Sequence, residues 1–124
     1  MAKKNITNAV IVHCIDFRLQ KGLDIWIKKN YGYGNYDRVS LAGGVFDFEH
    51  ILKQIEISAK LHDVNQIILV NHEDCGAYGV EGNYERHKSD LEKAKGELGK
   101  IFPTIETKIF YLHLGGKFEE IIQI

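Results

Sequence analysis

A chain of 124 residues with a formal net charge of −1 has room for one domain, residues 1–124, and lacks the basic surplus that nucleic acid or an anionic membrane surface requires of a partner. Its 44% apolar and 27% charged shares are ordinary for a soluble globular protein, and no apolar run reaches the roughly 18 residues of a membrane span. Two cysteines are too few for a small secreted disulfide framework, no signal-peptide core opens the chain, and Lys3 and Lys4 are too few for a basic arm, so a cytoplasmic location with reduced thiols is expected.

Along the chain, Ala9-Val10-Ile11-Val12-His13 is a continuous apolar run, as expected of a strand covered on both faces. Cys14-Ile15-Asp16-Phe17-Arg18 follows at once. On an extended segment its thiol, carboxylate and guanidinium would face one way. Leu19, Leu23, Trp26 and Ile27 recur at helical spacing, and the glycines at 32 and 34 predict a loop over 31–36. Residues 38–41 read as a short second strand closed by Ala42-Gly43-Gly44. Phe48, Ile51, Leu52, Ile55 and Ala59 then mark an amphipathic helix.

Residues 66–70 form a third buried run, followed by Asn71-His72-Glu73-Asp74-Cys75-Gly76. Leu91, Ala94, Leu98 and Ile101 mark a further helix that stops near Pro103. Residues 108–112 read as a fourth strand, and Gly115-Gly116 as a tight turn into a short C-terminal strand. The alternation predicts an α/β fold: a mostly parallel, four-stranded central sheet flanked by helices, with a short C-terminal edge strand.

In such sheets ligands bind beyond the carboxyl ends of the strands, where the strand order reverses. The two segments rich in metal-type ligands follow the first and third strands. If those strands are neighbours, Cys14, His72 and Cys75 converge. Two thiolates and one imidazole are a zinc ligand set that leaves a fourth position for water. Arg18 offers a donor fork that can hold the Asp16 carboxylate in one orientation, either beside that water or swung onto the metal. Blander readings stay open: Cys14 as a small buried apolar group, Asp16–Arg18 as a surface ion pair, or a Cys14–Cys75 disulfide.

Cys-x-Asp-x-Arg after the first strand, Ala-Gly-Gly after the second and His-x-x-Cys-Gly after the third resemble the β-class carbonic anhydrases in order and interval. The resemblance implies Cys14, His72 and Cys75 as ligands of Zn2+ and Asp16 with Arg18 as the catalytic dyad. It implies reversible hydration of carbon dioxide by a zinc-bound hydroxide, the lyase activity of a carbonic anhydrase, with CO2 and bicarbonate as substrates. The family site lies at a subunit interface, so a homodimer or higher homo-oligomer is expected, with Phe17, Tyr31, Tyr33, Phe46 and Phe48 near the site. Amides near Gly43, Gly44 and Gly76 are expected to donate to the sulfurs.

The chain departs from the family pattern at two places beside the site. Asn71 stands where the family has glycine before the ligand histidine, and Gly44 where it has asparagine after Ala-Gly. No counterpart of the family's N-terminal helical arm is expected before Ala9. The Ala-Gly-Gly branch also includes carbonyl sulfide and carbon disulfide hydrolases, and a non-catalytic zinc-binding relative is a further alternative. No proton shuttle is singled out among His13, His50, His62, His87 and His113. His13 is expected to point away from Cys14, and His62 and His87 to lie on helix surfaces.

Overall fold

Every residue of β1 (Ala9–His13) is buried, because its two faces are covered by different helices. The structure is a computed structural model that describes residues 5–123, so Lys3 and Lys4 lie outside the described residues. A 3-10 turn (Phe17–Leu19) leads into α1 (Gln20–Tyr31), which Gly32 ends at φ 75°. The chain continues through β2 (Tyr36–Ser40), a second 3-10 turn (Gly44–Asp47) and α2 (Phe48–His62). Then come β3 (Gln66–His72), a third 3-10 turn (Gly79–Glu81), α3 (Tyr84–Ile101), β4 (Glu106–Leu112) and β5 (Phe118–Glu120). The α3 start is fixed by Asn83, whose side chain accepts from the Arg86 amide at 2.8 Å.

The strands form one sheet in the order β2-β1-β3-β4-β5, with β5 alone antiparallel. This is the expected α/β architecture. Strand alternation sorts the core into two layers. Ala9, Ile11, Ile68, Val70, Phe110 and Leu112 meet Leu19, Leu23 and Ile27 at α1. Val10, Val12, Ile67, Leu69 and Ile109 meet Ile51, Ile55, Leu91 and Leu98 on α2 and α3. After β1 the chain adds β2 on one side, then crosses back to place β3 on the other. The carboxyl ends of β1 and β3 therefore flank the point of reversal, where such sheets hold their ligands. No helix among the described residues is long and apolar enough to cross a membrane.

Three elements differ from the expectations. β2 starts at Tyr36, inside the predicted loop, and ends at Ser40, because its extent follows its pairing with β1 from Ala9↔Tyr36 to His13↔Ser40. β3 runs on to His72 and β4 starts at Glu106 for the same reason, their register running from Gln66↔Glu106 to His72↔Leu112. His87, expected on a helix surface, is 0% exposed. Its position is in phase with Leu91, Ala94 and Leu98, so it lies on the core-facing stripe of α3. His62 is half-buried, its Nδ1 2.6 Å from the Asp37 carboxylate.

Candidate metal centre

Cys14 leaves the end of β1, His72 closes β3, and Cys75 follows three residues later on the same loop. All three are buried, and their donor atoms lie within 4.8 Å of one another. Both cysteines are free thiols, which sets the disulfide reading aside. The two sulfurs face each other. The contact with Cys75, with backbone amides, holds the Cys14 thiol far below its ordinary range; the same contact and burial push Cys75 up. A soft divalent cation would accept both thiolates.

His72 is aimed by its other nitrogen. Its Nδ1 lies 2.7 Å from the Glu73 carbonyl, so it carries the proton and donates. Nε2 is then an unprotonated acceptor, buried with no partner among the described residues. An orphaned imidazole lone pair facing two thiols is the arrangement a zinc ion satisfies, with the carbonyl fixing the tautomer. The residues present therefore fit the metal.

Backbone amides reach both sulfurs. The Gly43 amide donates to Cys14 Sγ at 3.3 Å, joined by that of Asp16, while Ala77 and Tyr78 serve Cys75. The expectation holds for Gly43. The Gly44 amide instead closes its turn on the Leu41 carbonyl at 2.9 Å, and in the β3 loop the donors fall just after Gly76.

Asp16 and Arg18 form the expected pair, and more tightly than a surface ion pair. Asp16 Oδ1 accepts from the Arg18 amide at 2.9 Å and from Nε at 3.1 Å, and Oδ2 accepts from Nη2 at 2.7 Å. These contacts hold the Asp16 carboxyl down at about 2. Arg18 also donates from Nη1 to Asp74 Oδ2 at 3.0 Å and from Nη2 to the Asp74 carbonyl at 2.9 Å. Asp74 adopts φ 58° to present both oxygens. One guanidinium thus ties the loop after β1 to the loop after β3. In the sequence Asp74 reads as a spacer, although its place beside Cys75 in the ligand loop is an available signal. Gln20, whose Nε2 donates to the Asp16 carbonyl at 2.8 Å, carries no such signal.

His13 points away from Cys14, as expected. Its Nδ1 donates to the Cys14 carbonyl at 2.9 Å and its Nε2 accepts from Arg38 Nε at 2.7 Å. The aromatic residues divide. Phe17, 85% exposed, follows Asp16, and Phe46 packs edge-on against Tyr78 at 4.7 Å. Tyr31 is a correction: its hydroxyl donates to Gln66 Oε1 at 2.7 Å, at the opposite end of the sheet, because α1 carries it away from the site. Tyr33 lies beyond it under Lys28, and Phe48 packs against the α2–α3 core.

A family model described as "Putative carbonic anhydrase" matches residues 3–122. An uncharacterized protein of Rickettsia bellii is 30% identical over 138 residues, spanning 96% of this chain and 84% of that protein. Among solved structures, the carbonic anhydrase from Glaciozyma antarctica superposes at a TM-score of 0.71 and 16% identity, over 98% of this chain and 85% of that one. An apo form of carbon disulfide hydrolase superposes at 0.65 and 14% identity, over 98% and 81%. At such identities the likeness speaks for the fold.

Proposed function

We propose, from the premise that this chain belongs to the carbonic anhydrase family whose model it matches, that it catalyses the reversible hydration of carbon dioxide to bicarbonate and a proton. Cys14, His72 and Cys75 would hold zinc through Sγ, Nε2 and Sγ. The metal, when bound, supplies the acidity that makes water a nucleophile near neutral pH. The chain's own residues do the orienting. Asp16 is ionised, and Arg18 fixes both of its oxygens, so it can accept a hydrogen bond only from a group that still carries a proton. It thereby aims the attacking oxygen and disfavours anions that lack a hydrogen. Arg18, pinned from behind by Asp74, prevents Asp16 from drifting.

The observation that carries this reading is the convergence of three donor atoms within 4.8 Å beside a carboxylate fixed by an arginine. Stopped-flow carbon dioxide hydration by zinc-loaded protein tests it, with Asp16→Asn alongside. Turnover proportional to zinc content is expected, falling by about 10²–10⁴ in the variant, the usual worth of a positioned acid–base group. Undiminished activity in Asp16→Asn would remove the dyad. The likeness to a carbon disulfide hydrolase motivates a second reading, hydrolysis of carbon disulfide or carbonyl sulfide at the same site. Zinc-loaded protein silent toward carbon dioxide but active on either sulfur compound would establish it. Silence on all three would leave a zinc-binding relative without turnover.

The protein is further proposed to act as a homodimer or higher homo-oligomer. Ile15, Phe17, Phe46, Val80 and Leu114 are exposed on the loops that surround the site, and a second copy would cover them. A monomer in light scattering at micromolar concentration would overturn this.

A further inference from the structure

We propose that Asn71 is a positioning residue for the metal centre: its carboxamide ties the turn whose amide faces the Cys14 sulfur to the loop whose amides face the Cys75 sulfur. The inference rests on the reading of Cys14, His72 and Cys75 as metal ligands, and not on which substrate is turned over.

Asn71 is 1% exposed and sits next to His72 on β3, its side chain on the other face of the strand. Its Oδ1 accepts from the Val45 amide at 3.1 Å. Its Nδ2 donates to the Tyr78 hydroxyl at 3.0 Å and to His87 Nδ1 at 2.8 Å. The amide can point only one way. Turned over, its NH₂ would meet the Val45 N–H donor, and both of its acceptors would lose their hydrogen. Tyr78 in turn donates to Asp90 Oδ2 at 2.8 Å, which also accepts from Arg86 Nε at 3.1 Å. Asn71 is thus held rigidly from the α3 side.

What it holds is the environment of the sulfurs. Val45 lies two residues beyond Gly43, the amide donor to Cys14 Sγ, within one tight turn whose Gly44 amide closes on Leu41. Tyr78 carries the hydroxyl that Asn71 grips, its amide donates to the Cys75 carbonyl at 3.2 Å, and the neighbouring Ala77 amide faces the Cys75 sulfur. One buried side chain therefore sets the distance between the two donor loops. The turn is shaped to admit it. Gly44 has φ 59°, and a Cβ there would stand 2.6 Å from Asn71 Oδ1 and 2.9 Å from the Val70 carbonyl. Donors to a ligating sulfur tune how much charge it gives the metal, and disturbing such outer partners typically costs 10–100-fold in metal affinity.

Cobalt(II) titration of the zinc-free protein tests this, because the thiolate-to-cobalt charge-transfer band reports directly on the sulfurs and needs no turnover. Wild type is expected to bind one cobalt with an intense band. Asn71→Ala is expected to lose at least 10-fold in affinity and to shift the band. Tyr78→Phe cuts the tie to the Cys75 loop but keeps the bond from Val45 to Asn71, and is expected to lose affinity by less than Asn71→Ala, while Gln66→Ala, at the far end of the sheet, keeps wild-type affinity. If Asn71→Ala fails to fold, Asn71→Ser, which leaves a smaller void, is read in the same way. Wild-type affinity with an unshifted band in the Asn71 variant overturns the inference, as does a loss in Gln66→Ala equal to that in Asn71→Ala. Failure of the wild type to bind cobalt or zinc overturns the metal-ligand reading and the inference with it.

Discussion

The two ends of the sheet solve the same problem in opposite ways. At the amino end, polar side chains are partly exposed and pair with one another. Tyr31 donates to Gln66 Oε1, Gln66 Nε2 donates to Glu106 at 3.2 Å, and the amides of Asn65 and Gln66 share the Asn8 carbonyl. At the carboxyl end, Cys14, Asn71, His72, Cys75 and His87 are all buried, and the backbone takes positive φ at Gly43, Gly44 and Asp74. His72 Nε2 and His87 Nε2 have no partner there among the described residues. At the amino end the buried atoms without a partner are two hydroxyls, Thr7 Oγ1 and Thr107 Oγ1, so the ends differ in the chemistry of what they leave over: hydroxyls at one, imidazole nitrogens and free thiols at the other. Metal chemistry belongs at the end whose unpartnered imidazole faces two thiols.

Substitutions can break this contrast, and the largest effect is expected at the metal. Cys75→Ser should lose zinc stoichiometry, measured by elemental analysis. It should also lose the stabilisation that zinc gives the native state, about 4 kcal/mol when the free metal is a thousandfold above its dissociation constant. Full occupancy in that variant would take Cys75 out of the ligand set.

A pH experiment probes a buried imidazole at the same end. Burial first, with smaller contributions from neighbouring charges, pulls the His87 imidazole down to about 4 from 6.5. Between those values the unfolded chain binds more protons than the native one, so stability rises with pH through that window and is lost as pH falls from about 6.5 to 4. The difference is worth about 3 kcal/mol at most. Urea unfolding of wild type and His87→Gln at pH 4.5 and 7 should show a shallower pH dependence in the variant. Equal slopes would mean that His87 is not the group responsible.

Smaller effects sharpen the comparison. Gly44→Ala places a methyl against Asn71 Oδ1 and the Val70 carbonyl in a left-handed backbone conformation. A loss of about 1–3 kcal/mol in urea unfolding is expected, with weaker metal binding. At the other end, Gln66→Ala removes bonds to Tyr31 and Glu106 and should cost about 1 kcal/mol with metal affinity unchanged. A change in zinc affinity in that variant would show that the two ends are not independent.

Local pattern makes much of this legible. The burial of β1, the apolar stripes of α2 and α3, the hairpin at Gly115-Gly116 and each of the two ligand segments, Cys14 and His72 with Cys75, are written in local stretches of sequence. His87 is legible too, since it continues the stripe of Leu91, Ala94 and Leu98, but a titratable side chain in a helix reads first as a surface mark. The limits of β2 and β4 are not, because a strand ends where its neighbour stops offering hydrogen bonds. Nor is the fate of Tyr31, which depends on the direction in which α1 runs back from the site.

The sequence by itself determined which residue types could hold a metal and on which loops they stand, because the ligands sit directly after apolar strands and their chemistry does not depend on context. Only the tertiary structure decided that β1 and β3 are neighbours, that Asp74 completes the hold on Arg18, and that Asn71 and Gly44 occupy complementary space. Those relations join residues about 26 to 60 positions apart, where distance in space is set by packing across the sheet and leaves no periodic trace along the chain.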